Sequence, residues 1–497
     1  MPPKPTLKRR ACGVLLHPTS LPGARGGDLG PAARDFVDFL ADCGQSWWQV
    51  LPVCPPDPAG SPYNSPSSFA GSPALVSTDL LAAEGLLKKA ELGQPKAKAL
   101  GAALEKFSKR ASREDREDFE AFRAREASWL ADHALFCALK DAHGGRPWTQ
   151  WDAPLARRDV KSLEEARGRL SGDIRRHEFS QWLFARQWQA VRLHAAARGV
   201  GLIGDAPIYV SHDSADCWAH QELFFLDPEG RPTSVAGVPP DYFSKTGQLW
   251  GNPLYRWDEH ARTGFAWWTS RLKTAAERFD AVRLDHFIGF RNYWEVPAGE
   301  KTAANGRWTT APGDALFEAI RREVPALEIV AEDLGTLTPP AAALRDKFSF
   351  PGMKVAQFSF GGEDKDLPRN WPENCVGVTG THDNDTARGW FEDDGAQPGG
   401  RTPAQLERER AAFLRATDGA PDGPAWAMTR LVWKSPARLA IAPLQDLLGV
   451  GGEGRMNRPG TAGGNWGWRM EPDALTRGLA GRLGLLTGAS ARAPEGA

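Results

Sequence analysis

The sequence lacks the features that would place this chain in a membrane or on a polyanion. No apolar run in its 497 residues approaches the length of a membrane span. The first ten residues carry charge but no apolar core long enough for a signal peptide, so we expect no such peptide. The formal net charge of −1 gives no reason to expect nucleic acid or an anionic membrane as a partner.

Cysteine is scarce and shows no motif. The six cysteines form no C-x-x-C pair and have no zinc-ligand spacing. They are predicted to be reduced thiols in a cytoplasmic protein: Cys12, Cys43, Cys54, Cys137, Cys217 and Cys375. Tyrosine is also scarce, with 5 residues against 20 tryptophans. Excess tryptophan fits core packing and fits stacking on sugar rings, so composition leaves both explanations open.

Short strands alternate with helical segments along most of the chain. The length alone fits one barrel with insertions as well as two or three domains. Strand–helix alternation predicts a parallel sheet, and eight such units predict an α/β fold closed into a (β/α)8 TIM barrel. The eight strands are predicted at residues 12–17, 48–53, 200–205, 279–285, 328–332, 353–358, 375–379 and 439–443.

We expect a single barrel domain over residues 1–497 with two insertions between its strands. The first, residues 58–173, follows strand 2 as a long loop and then a mostly helical region. The second, residues 206–263, follows strand 3 and is rich in loops. Residues 490–497 are predicted to be a frayed tail.

Three carboxylates stand at the carboxyl ends of predicted strands four, five and seven: Asp285, Glu332 and Asp383. In a parallel barrel these ends meet at one mouth, where the chemistry of such folds takes place. Arg283 is two residues before Asp285, so both side chains lie on one face of the strand. Taken alone, this pair is most simply a structural ion pair.

The clustered carboxylates fit either a divalent metal site or glycosidic bond chemistry. A metal would add His286 and His382 as ligands, but their spacing is not that of a zinc or two-metal motif. In glycosidic chemistry one carboxylate attacks the anomeric carbon and a second, with a raised pKa, protonates the leaving oxygen. Arg283 would then keep the attacking carboxylate of Asp285 ionised.

The motifs around these residues resemble those of the α-amylase superfamily. They are Arg283-Leu-Asp285-His-Phe, Glu332-Asp-Leu-Gly335 and Thr381-His-Asp383-Asn-Asp385. The sequence after strand 3 departs from that of α-amylases. Together with segments 239–244 and 247–253, it is similar to the amylomaltases, the 4-α-glucanotransferases of glycoside hydrolase family 77. Segments 17–22 and 61–63 match that family too, and the resemblance spans about residues 12–470.

The resemblance implies a role for nine residues. Asp285 would be the nucleophile, Glu332 the general acid and base, and Asp383 the stabiliser of the transition state. Four residues would hold the donor sugar, and two would lie on a mobile loop of the 206–263 insertion beside the acceptor: Tyr63, Asp205, Arg283 and His382, then Asp241 and Trp250. His286 and Asp213 are left open as packing residues.

The resemblance also implies the reaction and its partners. Maltooligosaccharides and α-1,4-glucans would serve as donor and acceptor, with no metal or organic cofactor. We expect a monomer or a weak homo-oligomer. Two alternatives stay open: a hydrolase that uses the same carboxylates with water as acceptor, and a non-catalytic glucan-binding protein that keeps a relict barrel.

Overall fold

A computed structural model of the chain describes residues 2, 4–23, 26–240, 245–395, 401–461 and 463–494. Its twelve strands form two sheets. They are β1 Ala11–Leu15, β2 Trp47–Gln49, β3 Gly201–Ala206, β4 Ser234–Val238, β5 Gln248–Pro253, β6 Ala281–Leu284, β7 Asn292–Pro297, β8 Arg307–Thr310, β9 Glu328–Ala331, β10 Gly352–Val355, β11 Cys375–Val378 and β12 Leu439–Pro443.

The larger sheet is a nearly closed parallel barrel with the strand order β10-β11-β12-β1-β2-β3-β6-β9. Between its two end strands, the Ala331 N–H donates to the Pro351 carbonyl at 2.9 Å and narrows the remaining gap. Each of the eight strands predicted from the sequence overlaps one of these strands. The predicted (β/α)8 barrel is therefore confirmed.

Helices surround the barrel and also fill the connection between β2 and β3. That connection carries α2 to α8, and α8 is a helix of 27 residues that leads into β3. The helices are α1 Pro31–Asp42, α2 Thr78–Ala83, α3 Lys96–Arg110, α4 Arg113–Arg125, α5 Ala127–Ala142, α6 Ala153–Ala156, α7 Val160–Arg169, α8 Ser171–Ala197, α9 Ala215–Ala219, α10 Trp257–Arg262, α11 Ala266–Arg278, α12 Gly313–Glu323, α13 Pro339–Lys347, α14 Ala387–Glu392, α15 Pro403–Ala416, α16 Pro424–Lys434, α17 Leu444–Leu448 and α18 Arg477–Ala489.

Two cores support the barrel. Side chains of alternate strand residues fill its interior, among them Ile203, Val330 and Ile441, while the larger core lies between the sheet and the helices. Leu7 belongs to the interior core, and its N–H donates to Glu328 at the first residue of β9, so it covers the amino end of the barrel. Among the helices that the structure describes, none combines the length and apolar character needed to cross a bilayer.

The smaller sheet is antiparallel, with the order β5-β4-β7-β8. Strands β4 and β5 come from the insertion that we expected to be loops, and the hairpin β7–β8 follows β6. Sequence analysis missed this sheet because its two hairpins lie on either side of a barrel strand. Each hairpin is short, and neither carries a local signal of its partner.

The predicted frayed tail is wrong as far as Pro494. Arg492 is fully buried, and its guanidinium donates to five backbone carbonyl groups. The acceptors lie beside the start of β1 and in the segment before β12: Ala11, Trp433, Ser435, Ala437 and Arg438. A buried guanidinium with this many acceptors ties the end of the chain to the amino end of the barrel.

Candidate active site

The three carboxylates predicted from the sequence lie at the carboxyl end of the barrel. Asp285 follows β6 directly, Glu332 follows β9 directly, and Asp383 lies in the loop after β11. Strands β6 and β9 are paired in register, with Leu284 opposite Ala331, so Asp285 and Glu332 leave the sheet side by side. The parallel register therefore brings these two carboxylates together at the mouth.

Arg283 stands at the centre of the cluster, with only 5% of its side chain exposed. Its Nη1 donates to both carboxylate oxygens of Asp205, at 2.9 and 2.8 Å. The same nitrogen lies 2.8 Å from Asp285 Oδ1, and Nη2 lies 3.9 Å from Glu332 Oε2. The Arg283 guanidinium is therefore the positive charge shared by the three carboxylates.

Glu332 is held by two backbone amides. The N–H of His286 donates to Oε2 at 2.7 Å, and the N–H of Leu334 donates to Oε1 at 3.0 Å. Burial raises the pKa of Glu332 to about 7; Arg283 and the two amides oppose that rise, and the charge of Asp285 adds to it. Glu332 thus exchanges its proton near neutral pH, as a group that serves in turn as acid and base must do.

Asp205 lies beneath the mouth, and its side chain is fully buried. Besides Arg283, it accepts a hydrogen bond from the Tyr63 hydroxyl at 2.8 Å. Burial raises the pKa of Asp205 to about 6, against the lowering effect of Arg283. Because its carboxylate is enclosed, Asp205 presents no oxygen to the open mouth. Its hydrogen bonds instead hold Arg283 and Tyr63 in position.

Tyr63 and His382 form a stacked pair at the mouth. Their ring centroids are 4.7 Å apart with an interplanar angle of 14°. The Tyr63 hydroxyl is also 3.3 Å from His382 Nδ1, and His382 Nε2 is 3.3 Å from Asp383 Oδ1. A chain of contacts therefore joins Asp205, Tyr63, His382 and Asp383 in one wall of the site.

The acceptor-side residues predicted on the insertion differ in outcome. Trp250 lies in β5 and is 38% exposed, with its ring edge-on to His286 at a centroid distance of 4.8 Å and an angle of 87°. Trp250 is therefore next to the residue that follows Asp285. Asp241 lies outside the described residues.

Within the ranges that the structure describes, no three histidine, cysteine, aspartate or glutamate side chains are grouped so that they would hold a metal ion.

The sequence and the fold have counterparts among known proteins. Residues 16–476 match the family model of glycoside hydrolase family 77, described as 4-alpha-glucanotransferase. The chain belongs to this family. A 4-alpha-glucanotransferase of Thermus thermophilus is 49% identical over 97% of this chain and 99% of its own length. One of Synechocystis sp. is 46% identical over 97% and 98%.

A solved structure gives the same result for the fold. The amylomaltase from Streptococcus agalactiae in complex with acarbose is 37% identical, with a TM-score of 0.91 over 98% of this chain and 100% of that chain. As a member of the 4-alpha-glucanotransferase family, the chain is a transferase enzyme. The resemblance inferred from the motifs is thus confirmed, and the transferase is favoured over the hydrolase and the non-catalytic protein.

Sequence analysis missed two residues that contact Asp383. Asn457 Nδ2 donates to Asp383 Oδ1 at 2.7 Å, and Arg455 Nη2 donates to the Asp383 carbonyl at 2.6 Å. Both residues lie after β12 in a glycine-rich loop, which is typical of functional loops in barrels.

Proposed function

We propose that this 4-α-glucanotransferase moves segments of α-1,4-glucan from one maltooligosaccharide or glucan to the 4-hydroxyl group of another. The reaction is a double displacement that retains the anomeric configuration. The observation that carries this proposal is the pairing of two unlike carboxyl groups: Asp285 against Arg283, and Glu332 buried with a pKa raised to about 7. Two carboxyl groups in unlike environments are suited to the roles of nucleophile and acid.

In the first step the Asp285 carboxylate attacks the anomeric carbon of the donor. Glu332 gives its proton to the glycosidic oxygen, and the leaving segment departs with a free 4-hydroxyl group. Arg283, 2.8 Å from Asp285, keeps the nucleophile ionised. The product of this step is a glucosyl ester on Asp285.

In the second step Glu332, now a carboxylate, removes the proton from the 4-hydroxyl group of an acceptor. The acceptor oxygen attacks the anomeric carbon, and the bond to Asp285 breaks. The amides of His286 and Leu334 stabilise the carboxylate form of Glu332 that this step needs. Glu332 regains in this step the proton that it gave up in the first, and Asp285 returns to a free carboxylate, so no further reagent is consumed.

The remaining residues bind the sugar and shape the mouth. Asp383, fixed by Asn457, is placed to stabilise positive charge at the reacting ring, and Tyr63 and His382 present a stacked wall to the donor sugar. Asp205 acts through Arg283 and Tyr63, and Trp250 offers an indole face to the acceptor. Asp241 stays a prediction for the acceptor side.

We further propose a cytoplasmic location, supported by the free state of all six cysteines, each of which lies in the described part of the chain. A monomer or a weak homo-oligomer stays a prediction.

Product analysis on maltotriose tests the transfer reaction. We expect glucose and maltooligosaccharides longer than maltotriose, with almost no net gain in reducing ends, because each bond broken is replaced by a bond formed. Chromatography of the products, with a reducing-end assay on the same samples, measures both quantities. A gain in reducing ends that equals the bonds broken would show a hydrolase instead.

The pH profile tests the assignment of Glu332. Because the acid must carry its proton in the first step, we expect kcat/KM for maltotriose to fall as pH rises above about 7. An α-glucosyl fluoride needs no proton on its leaving group, so this fall should weaken for release of fluoride. Glu332→Gln should lose most transfer from maltotriose and keep more of the fluoride reaction. Equal losses on the two substrates would contradict the assignment.

A further inference from the structure

We infer that His286 is a positioning residue that couples strand β5, on the acceptor side, to Glu332. The inference rests on the proposed function, in which Trp250 faces the acceptor and Glu332 acts as acid and base. It concerns a residue to which the motifs assigned no role. The backbone N–H of His286 contacts Glu332, and the ring of His286 contacts Trp250 in β5.

The backbone of His286 holds the acid directly. Its N–H donates to Glu332 Oε2 at 2.7 Å, the shorter of the two amide contacts to that carboxylate. The residue adopts a left-handed conformation, with φ of 50°, which is uncommon for a residue other than glycine. That conformation turns the chain after Asp285, at the residue whose amide contacts Glu332. A small rotation at this residue would therefore change the hydrogen bond to the acid.

The ring of His286 is packed between the barrel and β5. On one side lies Trp250, whose ring centroid is 4.8 Å from that of His286 with an interplanar angle of 87°. The ring centroid of Tyr209 is 6.5 Å from that of His286. On the other side the chain is close-packed, since a Cβ on Gly289 would come within 3.0 Å of the His286 ring. Burial lowers the pKa of His286 to about 4, so the ring is neutral where the enzyme would work.

These contacts give the enzyme a way to distinguish an acceptor sugar from water. An acceptor that stacks on Trp250 presses the indole against His286 and holds the His286 amide on Glu332. That amide stabilises the carboxylate form, which is the base that the second step requires. A water molecule that attacks the anomeric carbon is too small to contact Trp250 as well, so it gains none of this support. The coupling therefore favours transfer over hydrolysis.

Two substitutions separate the ring from the backbone. His286→Gly removes the ring and accepts the left-handed conformation without strain, so the amide can stay in place. His286→Ala removes the same ring but makes that conformation costly. Trp250→Ala, alone and combined with His286→Gly, completes a double-mutant cycle for the contact between the two rings.

The ratio of transfer to hydrolysis on maltotriose is the measurement. We expect His286→Gly and Trp250→Ala each to lower the ratio about tenfold, and the double variant to be no lower than either one, as for residues acting through one contact. His286→Ala should in addition shift the fall in kcat/KM near pH 7, because its amide leaves Glu332. Losses that multiply in the double variant, or an unchanged ratio in His286→Gly, would overturn the inference.

The wild type in the same assay separates this inference from the proposed function. If the wild type hydrolyses maltotriose without transfer, the proposed function is wrong. If the wild type transfers and His286→Gly transfers in the same ratio, only the coupling is wrong. Should His286→Gly fail to fold, His286→Asn takes its place in the cycle, since asparagine tolerates the left-handed conformation. A merely structural role would lower the melting temperature and both rates together.

Discussion

Asp285→Asn is expected to abolish transfer, with a loss on the order of 10⁴-fold or more, as when the nucleophile of a covalent mechanism is removed. The amide cannot form the glucosyl ester. Among the described residues, the other two carboxylates near Arg283 are less accessible, because Asp205 is enclosed and Glu332 is only 11% exposed. Stability should change by less than about 1 kcal/mol, because the replacement is nearly isosteric and Asp285 is 29% exposed.

The same variant also tests how the charge of Asp285 affects Glu332, the proposed acid. The charge of Asp285 contributes to the raised pKa of Glu332, so removing that charge should lower the pKa of Glu332.

The matched control for the loss of transfer is Asp213→Asn. The carboxylate of Asp213 contacts Lys140 and the Trp148 N–H. We expect that variant to keep most of its activity. Substantial transfer by Asp285→Asn, measured on maltotriose, would show that another group attacks.

Arg283→Met is expected to give the largest loss of stability. At neutral pH the cost should be about 3–5 kcal/mol, as for a buried ion pair that loses one partner, and transfer should be lost as well. The guanidinium is the shared partner of Asp205, Asp285 and Glu332, and the first of these is fully buried. Arg283→Lys is the control for charge, because it keeps the positive charge while its one ammonium group cannot repeat the contacts of the guanidinium.

The loss in Arg283→Met should grow with pH. In the wild type the pKa of Asp205 is raised to about 6 and that of Glu332 to about 7, and Arg283 lowers both. Groups with raised pKa values stabilise the fold fully below their unfolded values, near 4, and that contribution is lost as pH rises through the folded values. Without Arg283 both pKa values rise further, so more stability is lost between about pH 4 and pH 8.

Denaturant unfolding at pH 5 and at pH 8 measures this difference. We expect the gap in unfolding free energy between wild type and Arg283→Met to be clearly larger at pH 8 than at pH 5. An equal gap at both pH values would mean that solvent or another cation compensates the carboxylates. Arg283→Lys should lie between the two proteins at both values.

Periodicity was enough to place the barrel and its reactive edge. The eight strands are short and apolar, and each is separated from the next by helical spacing or by turn residues, so their order and direction follow from local signals. Strand β6 shows how far this extends to the site. Alternation alone predicted that Arg283 and Asp285 lie on one face of the strand. In the structure, Arg283 Nη1 is 2.8 Å from Asp285 Oδ1.

Contacts between distant segments could not be predicted in this way. The Tyr63 hydroxyl meets Asp205 across the whole helical insertion, and Asn457 reaches back to Asp383 from beyond the last strand. The smaller sheet likewise joins residues from both sides of β6. No periodicity encodes such pairings, since they depend on which surfaces the completed barrel brings together. The left-handed turn at His286 was not predicted either, because only a small fraction of histidines adopt such a conformation.

The buried Arg492 has a consequence for how the barrel resists opening. Strand β1 pairs with β12, so segments far apart in the sequence are neighbours in the sheet. The guanidinium of Arg492 donates to the carbonyl groups of Ala11 and Arg438, one beside each of these strands. Separation of β1 from β12 would leave a buried guanidinium without acceptors, which is costly. The seam between these two strands is therefore protected against local opening.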